Sequence, residues 1–152
     1  MSSLVEDLTQ PTIQVVVALL ILAVLRFALT RIPGTDIVAL DPDITVAVLV
    51  WTVLTLAMMG AILNYVISVG SALSHNVGKD LALAQITQLL GALLVLVWAY
   101  ASFSWVPYFR TNPQQYDILF LAFGLLCGGA LTILLYKNVG NISQLFANEL
   151  NS

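Results

Sequence analysis

The chain has 152 residues, of which 60% are hydrophobic and only 9% charged, and its formal net charge is −3. A soluble domain carries about 25% charged residues, so this composition excludes a globule that coats itself with water-binding groups. Five basic residues without a cluster also exclude nucleic-acid binding and polybasic capture of lipid.

Four apolar runs, separated by short polar breaks, predict transmembrane helices at about 11–32, 44–73, 81–106 and 115–137. Each is long enough to cross the roughly 30 Å of hydrocarbon that about 20 helical residues span. The expected fold class is therefore all-α: a polytopic membrane protein with four transmembrane helices in a single domain, 1–152. The runs and their loops leave no room for a separate water-soluble domain.

Glu6 and Asp7 precede the first run, where a cleaved signal peptide would carry positive charge, so the run reads as a retained transmembrane helix. Thr9 and Pro11 mark its loose start, and Pro33-Gly34 stop it. Arg26 is the only strongly basic residue well inside an apolar run. A charge at membrane depth costs about 3 kcal/mol or more and raises the question of function. Its place near the helix end favours a side chain that snorkels to the interface, or pairs with Asp117 on the same membrane side, over an ion-path role.

The acidic loop Asp36, Asp41, Asp43 leads to Asp41-Pro42, a capping acceptor followed by a proline suited to a helix start. On the second helix Gly60, Asn64, Ser68, Ser71 and His75 recur at spacings that place them on one face. Gln14, Gln85 and Gln88 fall on the same membrane side. Gln14, Asn64, Ser68, Ser71, Gln85 and Gln88 thus form a candidate polar layer, read first as interhelical hydrogen bonding and second as a substrate path. His75 reads as a solvated interfacial residue, and one histidine cannot supply a bis-histidine haem site.

Gly78, Lys79 and Asp80 punctuate the turn to the third helix, which Pro107 stops. Ser102 and Ser104 have no His–Asp or Lys partner in the sequence pattern, which gives nucleophilic catalysis little support. Asn112-Pro113-Gln114-Gln115 predicts a capping box at the fourth helix. That helix carries Gly124, Gly128 and Thr132, a strip of small residues at every fourth position, with Gly129 and Ala130 beside it. Such a strip lets backbones approach closely and predicts the tightest helix contact of the molecule. Cys127 alone can form neither an internal disulfide nor a metal site. Residues 138–152, with Ile142, Leu145, Phe146 and Leu150 at helical spacing, suit an amphipathic interfacial tail.

A register shift of 74 positions superposes Gln14 on Gln88, Pro33 on Pro107, Asp43 on Asp117 and Asn64 on Asn138, which is consistent with two tandem two-helix repeats. Lysines and arginines balance between the two sides. The acidic first loop and the aromatic third loop, with Trp105, Tyr108, Phe109 and Tyr116, incline both termini to the cytoplasmic side of a plasma membrane. The functional expectation is a non-catalytic subunit, partnered by the lipid bilayer and by identical copies or another membrane protein, with no cofactor and no catalytic residues. The alternative is a small ion channel or transporter with a path along the Asn64 face.

Overall fold

The structure is a computed structural model that describes residues 2–34, 37–41, 44–77 and 82–150. Four of its helices are long and apolar enough to cross a membrane, over Leu4–Leu29, Val46–Asn76, Leu83–Phe103 and Pro113–Gly140. The chain is thus all-α in class, with α1 at Ser2–Leu29, α2 at Val46–Val77, α3 at Leu83–Phe103, a short α4 at Pro107–Thr111 and α5 at Pro113–Leu150. Pro42, Asp43, Asp36, Gly78, Lys79, Asp80 and Ser152 lie outside the described residues, as do the side chains of Asp41, Ile142, Leu145, Phe146 and Leu150.

The helix ends differ from the expected ones for local reasons. α1 begins nine residues before Pro11 and carries that proline inside it. A proline removes one intrahelical donor. Nearby, Thr9 Oγ1 donates to the Val5 carbonyl at 2.5 Å and Thr12 Oγ1 to the Leu8 carbonyl at 2.6 Å, adding side-chain bonds to this stretch. At the other end Thr30 Oγ1 donates to the Arg26 and Phe27 carbonyls, both at 3.0 Å, before Gly34 turns the chain at φ +94°. A left-handed φ of this kind suits glycine, which has no Cβ to clash.

In the first connection two described stretches pair as strands. Val38–Asp41 (β1) pairs antiparallel with Ile44–Thr45 (β2). α2 therefore starts at Val46, and the residue capping it is Thr45, whose Oγ1 accepts the Val48 N–H at 3.4 Å. Asp41, the expected cap, sits in the strand pair instead. The expected capping box at α5 does not form either. The Asn112 N–H closes α4 by donating to the Tyr108 carbonyl at 3.1 Å, and Gln115 Oε1 accepts from Tyr108 Oη at 2.6 Å. Asn112 serves the end of one helix while Pro113 opens the next.

The long helices pack in chain order: α1 on α2, α2 on α3 and α3 on α5. Contacts join the start of α1 to the end of α2 and the start of α2 to the end of α1, so these neighbours run antiparallel. Leu54, Thr55, Met59 and Ala72 on α2 and Ile86 and Ser102 on α3 are buried, as are Tyr116 and Asn138 on α5. Ile13, Val17, Leu20, Val24 and Phe27 on α1, and Leu121, Leu125, Leu126 and Ile133 on α5, point outward. In water they would form an apolar patch far larger than a monomer tolerates; hydrocarbon suits them.

An even number of crossings puts the two flanks of the bundle on one side. Cysteines introduced at Ser3 and Ser152, with Cys127 replaced by alanine, are expected to react with an impermeant maleimide from the same compartment. Labelling from opposite compartments would contradict four crossings.

Candidate functional site

The expected polar layer divides into parts. Gln14 from α1 and Asn64 and Ser68 from α2 come together, with Tyr65, around a crevice of about 150 Å³ between the two helices. Thr12 Oγ1 and Tyr65 Oη lie 3.2 Å apart beside it. One helical end further, Asn76 Nδ2 donates to Asp7 Oδ2 at 2.9 Å. α1 and α2 are thus joined by a ladder of polar contacts along one seam. A side-chain hydrogen bond between membrane helices is worth about 0.6–2 kcal/mol, so the ladder aligns the pair more than it glues it.

Ser71, Gln85 and Gln88 do not line this crevice. Ser71 Oγ donates to the Ile67 carbonyl at 2.9 Å, and Ser68 Oγ to the Asn64 carbonyl at 3.0 Å. Both hydroxyl protons are therefore committed to their own helix. Gln85 is exposed and Gln88 half-buried on α3. Of the α2 residues at helical spacing, Asn64 and Ser68 meet in this crevice, and spacing within α2 carries no information about which neighbour covers a face.

The expected charge pair is replaced by two local partnerships. The Arg26 guanidinium lies over the Trp51 ring, 4.4 Å from its centroid. Asp117 Oδ1 instead accepts from Tyr100 Oη at 2.7 Å. α1 packs on α2 and α5 on α3, so each of these side chains meets the helix beside its own. Intramembrane cations often find aromatic faces, which attract them by about 0.5–2 kcal/mol.

The close helix approach is also elsewhere than expected. A Cβ on Gly128 would meet nothing within 4 Å, and one on Gly124 only Leu96 Cδ2 at 3.9 Å. Thr132 Oγ1 turns back to the Gly128 carbonyl at 2.8 Å. The tight seam joins α2 and α3. A Cβ on Gly91 would lie 2.4 Å from Val66 Cγ1, and one on Gly70 would lie 3.0 Å from the Ala84 carbonyl oxygen. The available signal was a glycine inside a strongly apolar helix, Gly91 in α3 and Gly70 in α2, where a packing reason is the usual one.

Tyr116 anchors the α3–α5 seam. Its ring is buried, stacks on Tyr100 at 5.0 Å, and contacts Phe109 and Phe120 at 4.7 Å each. Its hydroxyl donates to the Tyr100 carbonyl. A groove of about 520 Å³ runs beside this cluster, walled by Leu93, Leu96, Ile118 and Leu121 with Tyr100 and Asp117 at its polar end. Among the described residues, no three of histidine, cysteine, aspartate and glutamate gather where they could hold a metal ion. Comparison of the chain with protein-family models, with curated proteins and with solved structures finds no match.

Proposed function

We propose that the chain is a non-catalytic membrane subunit whose role is lateral assembly, with copies of itself or with another membrane protein. The observation that carries this reading is the use of the polar residues. Ser68 and Ser71 spend their protons on their own helix, and the crevice shared by Gln14, Asn64 and Ser68 holds about 150 Å³. That volume accommodates a few waters, each taking about 30 Å³ in the liquid. Gln85 and Gln88, which a longer path would enlist, stand on another helix away from it. The outer faces of α1 and α5 remain broad and apolar, and the Gly128 strip on α5 is uncovered.

The second reading, a small channel or transporter, rests on the same crevice, because Gln14, Asn64 and Tyr65 there give it polar walls. One variant separates the two. Asn64→Leu removes one polar wall of the α1–α2 crevice and is expected to lower unfolding stability by no more than about 0.6 kcal/mol. Liposomes containing the protein should show the same ion and small-solute leak with and without the substitution. Flux that Asn64→Leu abolishes at unchanged stability would favour the transporter.

A further inference from the structure

The groove between α3 and α5 carries an acid at one end and apolar walls along the rest. Leu93, Leu96 and Val97 line it from α3, and Ile118, Leu121 and Leu125 from α5, around about 520 Å³. Asp117 lines its polar end, is exposed, and accepts from Tyr100 Oη through Oδ1 at 2.7 Å. A carboxylate has about four acceptor sites, so one phenol leaves most of them open. Among the described residues Tyr100 is its polar partner. Lys79, the basic residue outside them, precedes α3 in sequence. Tyr100 stands near the other end of that helix, about 25 Å along its axis from Leu83.

A carboxylate beside hydrocarbon gains from a cation that also donates hydrogen bonds. The apolar walls begin at once beyond it, at Ile118 and Val97, and reach Leu125, about 12 Å along α5 from Asp117. The occupant that fits carries its positive charge directly on an apolar chain. A zwitterionic phospholipid fits poorly, because its phosphate lies between ammonium and acyl chains. Among the described residues no lysine or arginine lines the groove to receive that phosphate, and the carboxylate would repel it. Asp117 lies about one turn past Pro113, beside the aromatic cluster of Tyr100 and Tyr116, a depth at which a charged head stays near water.

We propose that this groove binds a single-chain lipophilic amine in its protonated form. An alkylammonium, like the lysine head with its pKa of about 10.4, is charged at neutral pH and brings N–H donors to the Asp117 carboxylate. The Tyr100 hydroxyl, donating to the same carboxylate, holds it at the mouth of the groove. The chain lies between the leucines of the two helices. Gly124 keeps that slot open: it lines the groove, and a Cβ there would meet only Leu96 Cδ2, at 3.9 Å.

The test places the full-length protein in dioleoyl phosphatidylcholine nanodiscs with a dodecylamine analogue that carries a diazirine on its chain. Cross-links are mapped by peptide mass spectrometry. Saturable labelling of the α3 and α5 residues that line the groove is expected, with dodecylamine competing and dodecanol not. Asp117→Asn keeps an oxygen for Tyr100 and removes the charge, and should weaken binding about tenfold. Gly124→Leu fills the slot and should abolish the labelling with the carboxylate intact; it carries the test if Asp117→Asn does not fold. Labelling that does not saturate or falls elsewhere, equal binding by the wild type and the folded variants, or competition by dodecanol as strong as by dodecylamine would overturn the proposal. Competition by dioleoyl phosphatidylethanolamine as strong as by dodecylamine would assign the groove to a membrane phospholipid and overturn the single-chain assignment.

Discussion

Gly91→Ala, the addition of a single methyl group, is expected to destabilise the protein by about 1–3 kcal/mol. The new Cβ would lie 2.4 and 2.7 Å from the two Val66 γ-carbons and 2.9 Å from Val66 Cβ. Valine is branched at Cβ and cannot rotate its way out, so α2 or α3 must move. The same seam holds Gly70, where a Cβ would lie 3.0 Å from the Ala84 carbonyl oxygen. Chemical unfolding in mixed micelles measures the loss. Val66→Ala in the same chain should recover part of it, since the clash needs both side chains. Gly128→Ile is the matched control: nothing lies within 4 Å of that position, so chain stability should change by no more than about 0.5 kcal/mol. Equal losses at Gly91 and Gly128 would mean that the tight seam has been misplaced.

Tyr116→Ala should cost more, about 3–5 kcal/mol, because it empties the centre of the aromatic cluster between α3 and α5. In a bilayer the loss is mainly one of packing, since a neighbouring lipid chain is as apolar as the ring it replaces. Tyr116→Phe keeps the ring and removes only the hydroxyl that donates to the Tyr100 carbonyl, for a loss of about 1 kcal/mol. Unfolding of both variants under the same conditions ranks the two contributions. If phenylalanine costs as much as alanine, the hydroxyl rather than the ring holds the seam.

These two sites show where the sequence is informative. The four spanning helices were legible because a run of about 20 apolar residues has few other uses in a protein. Apolar patterning could not reveal the order of packing, because α1, α2, α3 and α5 are hydrophobic on nearly every face. Pro11 misled for a related reason. Proline commonly opens a helix, but this one sits inside a helix whose first turns lie upstream of the apolar run. The cap of α2 passed to Thr45 because the preceding residues pair as strands, a long-range choice that a local capping motif does not encode.

The candidate site was legible in part. Asn64 and Ser68 share a face as their spacing required, and Gln14 meets them across the α1–α2 seam. Arg26 and Asp117 were matched by membrane side alone. Depth within a bilayer constrains one coordinate, whereas pairing also requires that their helices be neighbours. Trp51 and Tyr100 won as partners because they stand on the adjoining helices. The small strip on α5 illustrates the same limit: small residues permit a close approach, but a helix must be present to make it.

The central claim is that the chain acts as an assembling subunit. The most direct measurement is the mass of the particle cut from the expressing membrane by a detergent-free polymer, with its native lipid still around it. More than one membrane-spanning chain per particle is expected in a fixed ratio, either copies of this protein or this protein with one other. A particle holding a single copy and no other protein would contradict it.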